Sequence, residues 1–105
     1  MALCIDDLRR QCTNNAIIMT AHVIKRCRER NIDSDSIIHV IMNGEIIRQY
    51  EDDKPFPSCL LLGMLMKDKY LHVVVASDNI HLHIITAYYP NEDEWEPDFK
   101  TRKGC

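Results

Sequence analysis

Glycine, aromatic side chains and excess basic charge are all scarce in this chain. Three glycines in 105 residues leave no loop rich enough in them to wrap a phosphate in backbone N–H groups, and no dinucleotide fingerprint or G-x-S-x-G elbow occurs. H-E-x-x-H is also missing. The longest nearly uninterrupted apolar run, Cys59 to Met66, is eight residues, against about 20 for a membrane-spanning helix. The five cysteines (Cys4, Cys12, Cys27, Cys59 and Cys105) are scattered with no C-x-x-C pair. That pattern excludes a zinc ribbon and argues against a secreted disulfide framework. Reduced thiols are expected, mostly buried as small hydrophobes, with Cys105 exposed at the end. Lys and Arg number 13 against 16 Asp and Glu, a formal net charge of -3, so the whole surface is not built for non-specific nucleic-acid binding.

What is present is a chain of one-domain size, 46% hydrophobic and 28% charged, which fits a single globular domain over 1–105. Near the amino terminus, Asp6 and Asp7 interrupt the apolar stretch a signal peptide would need, so a cytoplasmic location with no membrane is expected. Charge is unevenly distributed. Residues 1–32 carry Arg9, Arg10, Lys25, Arg26, Arg28 and Arg30 against Asp6, Asp7 and Glu29, whereas 33–66 carry six acids against Arg48 and Lys54. The basic stretch is the part of the chain suited to a phosphate.

Periodicity gives the order of elements. The first dozen residues can form a short helix, broken at Thr13-Asn14-Asn15, and Ala16 to Met19 is an apolar lead-in. Thr20 is an N-cap for a helix over about 21–30, on which Val23, Ile24 and Cys27 cluster on one side. His22, Arg26 and Arg30 form a stripe beside them at four-residue steps. Asp33-Ser34-Asp35 starts a second helix, closed by Asn43-Gly44. The period then changes to that of strands over 46–50, 59–66, 70–76 and 80–88, the second apolar on both faces and therefore central. The expected fold is α+β, two N-terminal helices packed on one face of a four-stranded antiparallel sheet, with 1–15 an N-terminal extension.

Three groups of residues can carry chemistry. His22 with Arg26 and Arg30 pairs a proton carrier with phosphate-holding guanidiniums, a set suited to metal-independent RNA transesterification. The plainer alternative is a solvated helix face, its arginines paired with Glu29 or with the carboxylates of the 51–53 turn. His72, His81 and His83 share one sheet face if Asp78-Asn79 is a two-residue turn opposing Ala76 to His81, and are then weak candidates for a metal; a shift of one residue would separate His72 from the pair. Tyr50, Tyr88, Tyr89 and Trp95 can stack bases or close the core.

The ordered motifs Thr20-Ala21-His22 with Arg26 and Arg30, Asn43-Gly44-Glu45 with Tyr50, Asp53-Lys54-Pro55-Phe56-Pro57-Ser58, Leu71-His72-Val73-Val74 and Ile85-Thr86-Ala87-Tyr88-Tyr89-Pro90 resemble the domain-of-unknown-function 4258 family. The resemblance covers about 17–102. It implies kinship with RelE/ParE/BrnT-like toxin folds, a RelE-like architecture, and a neighbouring antitoxin protein carrying a zinc-finger or helix-turn-helix domain. It also marks His22, Arg26, Arg30, His72 and Tyr88 as the polar members of the family motif. The expectation is a toxin-like component of a toxin–antitoxin system, acting on RNA as an endoribonuclease without metal or cofactor. His22, His72 and Arg26 would be catalytic, and Arg30, Tyr50 and Tyr88 would bind substrate. The alternative is a non-catalytic protein-interaction domain.

Overall fold

Helix start signals and apolar spacing act locally as expected, but the sheet they build is larger than four strands. The computed structural model describes residues 2–66 and 69–103. It contains α1 (Ile5–Thr13), β1 (Ile17–Ile18), α2 (Ala21–Glu29), α3 (Ser34–Asn43), β2 (Glu45–Tyr50), β3 (Ser58–Met66), β4 (Lys69–Ser77) and β5 (Leu82–Tyr88). The strands form one mixed sheet in the order β1-β5-β4-β3-β2. β2 to β5 are an antiparallel meander, and β1 adds to β5 in parallel through Ile17 opposite Leu82 and Ile18 opposite His83. The fold is thus α+β with three helices and five strands among the described residues, in place of two helices and four antiparallel strands. Cys105 and most of the turn after Met66 lie outside the described residues.

Both differences have a physical cause. The segment before Thr20 was expected only as a lead-in, yet its β-branched Ile17 and Ile18 favour extended backbone. β5 offers it an edge, and Leu82 N–H donates to the Ala16 carbonyl at 2.7 Å. The first helix packs into the core: Leu8 is fully buried and Cys12 nearly so, one turn apart on the same face. Arg9 holds α1 to α3, its guanidinium donating to the carbonyls of Ile41 (3.0 Å) and Gly44 (2.8 Å), two groups the end of α3 leaves open. The buried Gln11 side chain exchanges hydrogen bonds with the Ser77 hydroxyl at the end of β4.

The expected caps form. Thr20 Oγ1 accepts from Val23 N–H at 3.2 Å and Asp33 Oδ1 from Ser36 N–H at 2.7 Å. Asn31, at φ 58°, ends the α2 turn in the left-handed region that asparagine tolerates. All three helices contribute to one core on a single sheet face, with Val23, Cys27, Ile37, Val40 and Ile41 packed over Leu61, Val73, Val75, Ile84 and Ala87.

α3 comes very close to β3. A Cβ on Gly63 would lie 2.8 Å from Val40 Cγ2, and one on Gly44 would run into the backbone carbonyl oxygens of Leu62 and Val40. The backbone of Gly44 is in an ordinary extended conformation, so its requirement is for space and not for an unusual dihedral. Gly44→Ala is therefore expected to lower the unfolding free energy by about 1–3 kcal/mol, the usual cost of overpacking. Urea denaturation beside the wild type checks this, and a change below about 0.5 kcal/mol, the scale of an ordinary surface substitution, would mean the loop gives way freely.

Candidate functional site

The sequence places a basic stripe on α2, and the sheet's edge decides what it faces. Val23 and Cys27 point into the core, so His22, Arg26 and Arg30 fall on the flank beside them. β1 covers the outer edge of β5 only at Leu82 and His83, and α2 lies alongside the remainder. There the half-buried Arg30 donates to the Ala87 carbonyl at 2.8 Å and to the Thr86 hydroxyl at 3.3 Å. It thereby satisfies a strand-edge acceptor that would otherwise be bare. Between helix and strand is a cleft of about 290 Å³ lined by His22, Val23, Arg26, Cys27, Arg30, Ile85, Thr86 and Ala87.

No carboxylate among the described residues lines this cleft. Among the described residues the side chains of His22, Lys25, Arg26 and Arg28 make no ion pair, and neither Glu29 nor the acids of the 51–53 turn answer them. The face is solvated, but among the described residues its arginines do not pair with those carboxylates. The cleft can hold an anion between guanidiniums, with an exposed imidazole and a hydroxyl beside it.

The opposite sheet face carries a separate arrangement. Residues 91–103 cross it as a strap, with Trp95 buried and bridged to Arg102. His72, fully buried, meets the Trp95 ring edge-on at 4.6 Å between centroids. Its Nε2 lies 2.9 Å from the Phe99 carbonyl and its Nδ1 3.3 Å from the Tyr88 hydroxyl. A carbonyl only accepts, so Nε2 carries the proton, Nδ1 accepts, and the Tyr88 hydroxyl donates to it. Burial pushes the His72 pKa below the usual histidine range, partly offset by the bond to Phe99. Burial likewise raises Tyr88, with Tyr50 and Glu94 adding to it and Arg102 opposing. Phe99 sits at φ 56°, an uncommon conformation for a bulky residue, and it turns that carbonyl onto His72. Lys100 pairs with Glu45 on β2, and Arg48 and Arg102 lie over the Trp95 ring at 5.8 and 5.6 Å.

His22 and His72 are thus not brought together. Side chains alternate across β4, and Leu71 and Val73 take the helix face, leaving His72 on the other. Tyr50 and Tyr88 belong to His72's face, while Arg26 and Arg30 remain with His22. Tyr89 donates its hydroxyl to the Asn31 carbonyl and closes the end of α2.

The histidine trio also separates. Asp78 accepts from the N–H groups of His81 (2.6 Å) and Ile80 (2.9 Å), which together with His83 Nε2 at 3.0 Å hold its carboxyl well below the usual carboxylate range. That turn keeps His81 out of β5 and sets Ala76 opposite His83, not His81. His72 and Ala76 are four residues apart on β4, roughly 13 Å at about 3.3 Å per residue. Among the described residues no set of three His, Cys, Asp or Glu side chains is placed to hold a metal.

Sequence reasoning did not anticipate Thr86, the Ala87 carbonyl or Phe99 as partners of these groups. Two of the three act through backbone carbonyls, which leave no residue-type signal; the single tryptophan was the available clue to the strap.

The state of His72 sets a pH dependence. Its folded pKa lies below its unfolded one, so its contribution to stability is fully present above the ordinary histidine pKa and is lost as pH falls from there through the lower folded value, because the unfolded chain takes the proton first. Urea midpoints should fall from pH 7.5 to pH 5, and His72→Phe should flatten that slope. An equal slope in the variant would assign the dependence to other groups.

No helix among the described residues is long and apolar enough to cross a membrane. No curated protein and no solved structure matches the chain. A family model does match, over residues 19–89, the span from the entry of α2 to the end of β5 that holds the whole cleft, His72 and both Tyr50 and Tyr88. The chain belongs to the family described as Domain of unknown function (DUF4258).

Proposed function

We propose that this chain is a toxin-like component of a toxin–antitoxin pair that cleaves RNA without a metal, using the cleft between α2 and β5. The observation that supports this reading is the cleft's composition: two arginines, a histidine and a threonine hydroxyl, with no acid among the described residues of its lining. Arg26 and Arg30 hold a backbone phosphate and balance the charge that develops on its non-bridging oxygens. The His22 imidazole takes the proton of the 2′-hydroxyl, whose oxygen attacks the neighbouring phosphorus. The bond to the 5′-oxygen breaks, leaving a 2′,3′-cyclic phosphate, and the departing 5′-oxygen takes its proton from the imidazolium. His72 has no part in this step, since it lies across the sheet beneath Trp95.

A second reading, a non-catalytic interaction domain, is favoured by a different feature. Between α2 and α3 lies a groove of about 590 Å³ whose apolar residues Met19, Ile24, Cys27, Ile32 and Ile37 are flanked by Arg28, Asn31, Asp33 and Ser34. Ile24 is 43% exposed there, as suits a face that docks a protein. This reading calls for a protein partner, whereas an antitoxin-like protein with a zinc-finger or helix-turn-helix domain belongs to the toxin reading.

Induced expression in a bacterial host, with RNA ends mapped, separates the two. Growth arrest with new cyclic-phosphate ends is expected for the wild type and not for His22→Ala. Cleavage persisting in the variant would remove His22 from the chemistry. An intact RNA pool beside a stoichiometric protein complex would favour the interaction domain.

A further inference from the structure

The cleft between α2 and β5 is short and obstructed at both ends. At one end Arg30 crosses from α2 to β5 and is bonded there to Thr86 and Ala87. At the other, β1 takes over the β5 edge at Leu82 and His83, and the chain turns through its Thr20 cap into α2. Val23 and Cys27 lie buried at the base. A volume of about 290 Å³ is at the small end of ligand pockets, about 300–1,000 Å³. A nucleic-acid strand running through such a space needs an exit at each end, whereas the end of a strand needs only the mouth.

Charge leads to the same substrate. An internal phosphodiester carries one negative charge, and a terminal phosphate approaches two at neutral pH. Among the described residues the lining offers the guanidiniums of Arg26 and Arg30 with no acid to compete for them, and none of those residues bonds the donor fork of Arg26. Glu29, the one acid on α2, lies three residues from Arg26 and outside the lining.

We infer that the cleft binds the terminal phosphate of a single-stranded RNA in preference to a phosphate within the strand. The inference rests on the RNA reading above and narrows it. The chain becomes a reader of RNA ends: Arg26 and Arg30 then hold the terminal phosphate in place of the scissile one, and His22, exposed at the rim, acts on the first linkage inward.

The test uses labelled single-stranded RNAs of one sequence with a 5′-phosphate, a 3′-phosphate or hydroxyls at both ends, a blunt duplex with 5′-phosphates, and inorganic phosphate as competitor. Fluorescence anisotropy with the full chain should show one of the phosphorylated single strands binding about tenfold tighter than the hydroxyl-ended strand, the gain of one charge-assisted hydrogen bond. The duplex should bind more weakly than that strand, and inorganic phosphate should compete. Arg26→Ala should abolish the preference while circular dichroism remains unchanged, and Arg26→Lys should restore part of it. Equal binding of all three single strands overturns the end preference and leaves the RNA reading intact. Binding of inorganic phosphate with no RNA bound overturns both readings and marks the cleft as a site for a free anion. No binding of any probe also overturns both.

Discussion

The two central strands are buried on both faces over much of their length, and the rest of the structure answers that constraint. In β3 the fully or nearly buried Cys59, Leu60, Leu61 and Leu62 follow one another without a polar break, and in β4 Leu71, Val73 and Val75 alternate with His72 and Ala76, which are buried too. A sheet with such a centre cannot leave either side to water. The three helices close one face, and the strap carrying Trp95 and Phe99 closes part of the other. Each buried side chain of this size contributes about 1.5–3 kcal/mol, which is why a short irregular segment can hold its place with few polar contacts.

Covering the sheet this way decides where polar chemistry can be. The strap needs an anchor on the apolar face, and His72 provides it as a neutral imidazole joining Phe99 to Tyr88. The same bonds that fix it remove it from solvent and from any reaction on the helix side. The other polar opening arises at the sheet's edge, since β1 is only two residues long and leaves α2 to lie against the rest of β5. Arg30 closes the gap electrostatically by capping Ala87, and among the described residues no acid pairs with its neighbours Arg26 and His22.

The cleft's positive character is local, set within a chain of net charge -3. Several of the acids that could have neutralised it are used or placed elsewhere: Glu45 pairs with Lys100, Glu94 with Arg102, and Asp78 caps its own turn and faces His83. A cationic cleft in an acidic molecule attracts an anion locally, while the remaining surface discourages non-specific binding. That combination suits recognition of one phosphate at one place better than tracking along a strand.

The sequence by itself determined the features that depend on neighbours in the chain: the Thr20 and Asp33 caps, the spacing of His22, Arg26 and Arg30 on one helix flank, the stop at Asn43-Gly44, and β3 as a central strand. These follow from backbone hydrogen bonding and side-chain period within a few residues. Tertiary structure decided what depends on partners far along the chain. Ile17 and Ile18 became a strand because β5 offered an edge, and Leu8 entered the core because α3 and the sheet left space for it. Asp78, by binding two backbone N–H groups, shifted the register that local pattern had assigned to His81 and His83. His72 was separated from His22 by the alternation of β4 combined with the side of the sheet the helices took, and which side they take is fixed by packing alone.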